Sequence, residues 1–275
     1  LWIHKEREEG NMKKIFFGIL ASVCLTLIAF ASFKQRYIDQ PIQQITAIDV
    51  SKPDPFIRIR NLYDSLKLDN ILNYQAFEEA MYGYESMQHR TKKELITVID
   101  FTLPSTEKRL YVIDLKNKKL VHHSVVAHGR NTGENYATNF SNKHGSFQSS
   151  LGFYVTAETY QGGNGYSLRL DGLEKGINDQ ARARAIVMHG ADYCNVNLAK
   201  SMGRLGRSYG CPALPREINT AVINTIKGGS MLYIYANNKN YMASSTILRT
   251  KTSSKTMLAQ HDEVESTTAP TVILN

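Results

Sequence analysis

The chain has 275 residues, a formal net charge of +8, 42% hydrophobic residues and 21% charged ones. That length gives one large domain or two modest ones a core to bury, and the composition excludes the disordered and fibrous classes. The positive charge suits an anionic polymer or a membrane surface. Its basic residues are scattered and no recognition motif accompanies them, which argues against a nucleic-acid partner.

From Met12, where translation is expected to start, "MKKIFFGILASVCLTLIAFAS" joins two lysines, a long apolar run and a small-residue "AFA" triplet. This is the layout of a secretory signal peptide. The run from Ile15 to Phe33 is also close to span length, so an uncleaved anchor is the alternative, and one of these two is the expected link to a membrane. Either way the protein is expected to be exported, to the periplasm or cell envelope. Residues 1–31 read as extension plus signal peptide, and residues 32–56, with prolines at 41, 53 and 55, as a linker.

Residues 57–90 read as a small helical module. Leu62, Leu66 and Leu72 fall near one face; Phe77, Met81, Tyr84 and Met87 repeat at helical spacing behind Asn73, a candidate cap. Such a stripe is packing surface. Residues 91–237 change to strands: "LITVIDF", a hairpin of "RLYVIDL" and "KLVHHSVVAHG" around "KNKK", two further runs flanking "QGGNGY", the short apolar "RAIVMHG", and "SMLYIYA". A helix is predicted over 216–227, begun by Pro215 and stopped by Gly228 and Gly229. The fold class is therefore mainly β with α, an α+β arrangement. Residues 238–275, rich in Ser and Thr, are expected to be a mobile tail.

Past the signal peptide two cysteines remain, Cys194 and Cys211. In an oxidising compartment they could pair, provided their Cα atoms lie within about 7 Å. Cys211 stands in "GRLGRSYGCPALP", a glycine-rich turn whose Arg204 and Arg207 are expected to favour a thiolate. A nucleophilic thiol needs a base. His189, at the end of "RAIVMHG", is the best placed, with His122, His123, His128 and His144 as competitors. His122 and His123 are adjacent in a strand and point to opposite faces. Gly190 leaves room beside the His189 ring for a substrate backbone. Neither C-x-x-C nor H-E-x-x-H occurs, so no metal or organic cofactor is implied. Ser208 is better placed to bond within the turn than to attack.

The "HG" of 189–190 and the "SYGC" of 208–211 resemble the H-G and S-x-G-C signature of the murein L,D-transpeptidase catalytic-domain family. The runs "GSFQSSLGFYVTAETYQGGNGYSLRLDGLEKGIN", "AIVMHGADY" and "GRLGRSYGCPALP" are similar to one subgroup of it, so the likeness covers roughly residues 70–236. The resemblance implies a mixed β-sandwich or barrel and cysteine acyl transfer on peptidoglycan tetrapeptide stems. Cys211 would be the nucleophile and His189 the base, with Ser208 in the catalytic set. The backbone N–H groups of Tyr209, Gly210 and Cys211 would form the oxyanion hole, and Gly190, Arg204 and Arg207 would contact substrate. An amine acceptor gives a cross-link; water gives an L,D-carboxypeptidase or another thiol-dependent murein hydrolase. The resemblance also implies that carbapenems, as β-lactams, acylate the thiol. Two departures stand out: many members carry histidine where Tyr209 stands, and arginine where Ala213 stands. Arg204 or Arg207 is expected to supply the missing charge, since guanidinium pairs well with planar anions. A non-catalytic cell-wall-binding protein is the reading from another class.

Overall fold

The apolar, β-branched runs of the sequence become the strands of one mixed sheet in a computed structural model that describes residues 54–251. The strands are β1 (Leu95–Asp100), β2 (Leu110–Asp114), β3 (Lys119–Ser124), β4 (Gly152–Gly162), β5 (Gly165–Gly172), β6 (Val187–Gly190), β7 (Ala213–Leu214) and β8 (Met231–Tyr235), in the order β3-β2-β1-β8-β4-β5-β6-β7. In β1, Ile96, Val98 and Ile99 are all buried, so both faces of this central strand are covered, as its unbroken apolar run requires. Its neighbours β2 and β8 run antiparallel and parallel to it. The β2–β3 hairpin closes on Asp114, whose carboxylate accepts the Asn117 N–H at 2.9 Å.

The two ends of the strand order nearly meet. Beyond β3 the chain rejoins β7 through Ala127 and Ala213, which exchange N–H···O bonds of 2.8 and 3.3 Å, and a further bridge links Gly129 to Ser208. The sheet is thus a nearly closed barrel, with few backbone groups left at its edges. The mixed β-rich fold with helices expected from the sequence is the one found.

Helices α1 (Pro55–Ser65) and α2 (Tyr74–Ser86) share the core of this barrel. Asn73 caps α2 as expected, its side-chain oxygen accepting from Gln75 N–H at 2.8 Å and Ala76 N–H at 3.4 Å. Phe77, Met81 and Tyr84 are buried against the sheet. Glu79, also buried on α2, accepts the Tyr233 hydroxyl proton at 2.6 Å. Two further helices, α3 (Val196–Met202) and α4 (Arg216–Ile226), flank β7, and α5 (Lys239–Ser244) follows β8.

The tail expected to be mobile from residue 238 is folded through 251. Tyr241 and Ser245 are buried and both donate to the Glu174 carboxylate, at 3.1 and 2.5 Å. Lys251 closes a largely buried ion pair on Glu78 of α2 at 2.5 Å. Serine and lysine read as tail composition because the partners that make them structural, Glu174 and Glu78, are remote in sequence. The rest of that segment, the expected signal peptide and the expected linker up to residue 53 lie outside the described residues. No helix among the described residues is long and apolar enough to cross a membrane.

One contact shows how tightly the helices are seated. A Cβ added at Gly83 of α2 would lie 2.1 Å from the Phe153 ring on β4. Phe153 is fully buried and stacked on Tyr233, ring centroids 4.2 Å apart, so it has nowhere to retreat. Gly83→Ala is therefore expected to destabilise the fold by about 2 kcal/mol, despite alanine's better helix propensity. Thermal denaturation followed by circular dichroism checks this, and an unchanged or raised melting temperature would contradict the packing.

Candidate active site

His189 and Cys211 reach the same place through the register of two short strands. In the parallel β6–β7 pair, His189 faces Ala213 and Gly190 faces Leu214, so Cys211 sits two residues before the partner of His189. Because strand side chains repeat every second residue, this register serves the rim from which both groups act. His189 and Cys211 line one cavity of about 480 Å³, together with Arg130, Asn164, Tyr193, Arg204, Arg207, Ser208 and Tyr209. The segment between the two strands contains α3, a helix not among the elements predicted from the sequence. Its signals were present: the Asn195 side chain accepts from Asn197 and Leu198 N–H groups, and Gly203 ends the helix at φ 72°.

The imidazole is set for one task. His189 is 3% exposed, and its Nδ1 lies 3.0 Å from the carbonyl oxygen of Gly190. A carbonyl can only accept, so Nδ1 carries the proton and Nε2 keeps its lone pair. Burial lowers the His189 pKa, with the nearby Arg216 charge in support. The ring is therefore neutral and basic at Nε2 at neutral pH. Gly190 contributes that carbonyl. The space expected for a substrate backbone beside it is occupied by Asn219 of α4, 3.1 Å from where a Cβ would stand.

Cys211 is partly exposed, while Cys194 is buried. The Cys211 sulfur receives the Val187 N–H at 3.4 Å and donates towards the Ala185 carbonyl at 3.6 Å. Packing around the sulfur raises its pKa; the Val187 N–H, the Arg184 charge and its own amide oppose that rise without overcoming it. This corrects the expectation that the cationic turn favours a thiolate. Arg204 and Arg207 both bind Glu134, at 2.8 and 2.6 Å, so their charge is largely answered before it reaches the sulfur. The helpful cation is Arg184, which the sequence reading did not single out. It is fixed by the Ser141 and Gln148 carbonyls at 2.7 and 2.6 Å.

Ser208 shapes the turn. Its hydroxyl donates to the Cys211 carbonyl at 2.6 Å and accepts the Gly210 N–H at 3.0 Å. That bond commits the Gly210 N–H inside the turn, leaving those of Tyr209 and Cys211 as candidate oxyanion donors. Gly210 has φ 125°, and a Cβ there would approach the Gln148 carbonyl to 2.8 Å, so glycine is required at this position. The Gly210 carbonyl accepts from Ser149, whose oxygen in turn accepts the Gly129 N–H.

Both described cysteines are free. The Cys194 thiol donates to the Ala213 carbonyl at 3.2 Å, and burial pushes its pKa up to about 12. It behaves as a buried apolar side chain under β7, not as a reactive thiol. Of the competing histidines, His144 is exposed, His122 bonds Thr225, and His123 stacks on Tyr111 at 4.7 Å between centroids. His128 is buried, with Nδ1 2.8 Å from the Arg109 guanidinium and Nε2 3.2 Å from the Gly133 carbonyl. No group of three or more metal-ligating side chains occurs among the described residues.

Two expectations follow from these environments. Burial holds His128 down to about 4, against an ordinary value of 6.5. The unfolded chain therefore takes up a proton between pH 6.5 and 4 that the folded chain refuses, and stability falls as pH drops through that window. The loss from His128 is about 3 kcal/mol; His128→Asn should flatten the acid limb of a plot of melting temperature against pH. For Cys211, a raised thiol sharing a cavity with a neutral imidazole means that iodoacetamide alkylation accelerates only at a pH above that of an ordinary thiol. A plateau reached already at pH 6 would instead indicate a thiolate–imidazolium pair.

A family model described as the L,D-transpeptidase catalytic domain matches residues 68–235. No curated protein sequence matches. Among solved structures, an L,D-transpeptidase from Mycobacterium smegmatis is 12% identical with a TM-score of 0.32, covering 52% of this chain and 59% of that one. An L,D-transpeptidase in complex with imipenem gives 12%, 0.33, 52% and 59%. The helical cell shape determining protein of Campylobacter jejuni gives 13%, 0.35, 58% and 56%. The chain thus spans less than two thirds of the length of each. The matched segment runs from the end of the first helical turn region to β8 and contains both His189 and Cys211, and by it the chain belongs to the L,D-transpeptidase catalytic-domain family.

Proposed function

We propose that the protein is a peptidoglycan L,D-transpeptidase acting through a thioacyl enzyme on Cys211. The observation that carries this reading is the fixed His189 tautomer, whose basic Nε2 belongs to a ring lining the same cavity as the Cys211 sulfur. Nε2 takes the thiol proton as the sulfur attacks the carbonyl carbon of the third residue of a tetrapeptide stem. The C–N bond to the terminal D-alanine breaks and Nε2 returns the proton to the departing amine. The side-chain amine of a second stem then attacks the thioester, the C–S bond breaks, and the proton lost by the amine restores the thiol.

The oxyanion formed in each step is met by the N–H groups of Tyr209 and Cys211, with Ser208 holding the turn that aims them. A neutral thiol and imidazole are suited to this sequence, because the proton moves only as the carbonyl arrives. Export to the periplasm or cell envelope, expected from the residues after Met12, would bring the cavity to this substrate. Water in place of the amine would yield the carboxypeptidase outcome at the same site.

The test is intact-protein mass spectrometry after exposure to a carbapenem, a β-lactam class represented by the imipenem complex among the similar structures. Wild type is expected to gain one acyl adduct and Cys211→Ala none. His189→Gln should slow adduct formation about a thousandfold while melting as wild type does. No adduct on wild type, or an equal adduct on Cys211→Ala, would favour the non-catalytic wall-binding protein. Muropeptide analysis separates the acceptors: new third-to-third-residue dimers mark transpeptidation, and tripeptides without dimers mark hydrolysis.

A further inference from the structure

Three arginines line the Cys211 cavity, and they differ in what holds them. Arg207 donates from one nitrogen to Glu134 at 2.6 Å, to the Gly133 carbonyl at 2.9 Å and to the Arg130 carbonyl at 3.0 Å. Arg204 binds the other Glu134 oxygen at 2.8 Å and the Leu205 carbonyl at 3.0 Å. To take a new anion, either side chain must first surrender a carboxylate. These two fasten the 130–134 loop to the Cys211 turn.

Arg130 is arranged otherwise. Its backbone is fixed, the N–H donating to the Ser208 carbonyl at 2.7 Å and the carbonyl accepting from Arg207. Its guanidinium lies 5.8 Å from the ring centroids of both Phe147 and Tyr209, which are 4.8 Å from each other. Both rings are exposed, Tyr209 to 65%, and Tyr209 lines the cavity. No carboxylate lies within ion-pair distance of Arg130 among the described residues. A guanidinium held in position by rings, with its N–H donors uncommitted, is a ready fork for a planar anion.

We propose that Arg130, and not the Arg204–Arg207 pair, binds the C-terminal carboxylate of the donor peptide. The inference rests on the acyl-transfer reading above: the leaving residue carries that carboxylate one residue beyond the scissile carbonyl, which suits a cation sharing the sulfur's cavity. Tyr209 then has two uses, its N–H beside the nucleophile and its ring under the guanidinium. Histidine at this position would lose part of that platform and, when protonated, repel the arginine.

Binding separates this inference from the function it rests on. Calorimetry in a Cys211→Ala background, where no turnover occurs, compares a tetrapeptide stem bearing a free C-terminal carboxylate with the same stem amidated there. The free acid is expected to bind about tenfold more tightly, and Arg130→Gln should erase the difference by weakening only the free acid. If discrimination survives Arg130→Gln and disappears in Arg204→Ala or Arg207→Ala, the assignment to Arg130 is overturned while the transpeptidase reading stands. If neither stem binds the folded Cys211→Ala protein, both are overturned. In the cysteine-containing enzyme, Arg130→Gln should raise KM for the free-acid donor by a similar factor and leave kcat close to wild type.

Discussion

The parallel pairing of β6 with β7 is the constraint on which the site depends. Only two residue pairs, His189 with Ala213 and Gly190 with Leu214, define it. A two-residue strand has little stability of its own, and β7 holds its place because it is bonded on both sides. Ala127 takes its other edge, Pro215 starts α4 immediately after it, and the Cys194 thiol donates to the Ala213 carbonyl. Closing the barrel and placing the Cys211 turn are thus one structural event. A slip of one residue in this register would turn the imidazole or the turn away from their common rim.

The electrostatics of the site run against the impression its composition gives. The sequence around Cys211 is basic, yet the sulfur is governed first by burial and only second by charge. Glu134 absorbs two of the nearby guanidinium groups and ties the loop that bears it to the turn that bears Cys211. The same loop hangs from His128, which is buried neutral between Arg109 and the Gly133 carbonyl. A neutral thiol with a neutral base avoids the cost of keeping two partly desolvated charges at the site. It also leaves Cys211 less open to oxidation than a standing thiolate would be.

Much of this was legible in the sequence, and the boundary is physical. The strands of the barrel, the α2 cap at Asn73 and the helix after Pro215 follow from local periodicity and end signals, which need no knowledge of distant partners. His189 and Cys211 stood out because their neighbours are unusual: a glycine beside a strand-end histidine, and a thiol among glycines and prolines. What escaped depended on long-range pairing. Arg184 matters because Ser141, Gln148 and the sulfur surround it, and Glu134 because two arginines seventy residues away converge on it. Lys251 and Ser245 looked like tail for the same reason. Helix α3 is the exception, since its Asn195 cap and Gly203 stop could have been read locally.

The central claim is that one sulfur forms a thioester with a peptide while the other described cysteine stays inert. It is tested most directly by incubating the protein with a tetrapeptide stem alone and mapping the acylated peptide by mass spectrometry. The account expects an added mass equal to the stem less its terminal D-alanine, carried by the peptide containing Cys211. The same increment on the peptide containing Cys194, or release of D-alanine from Cys211→Ala at the wild-type rate, would contradict it.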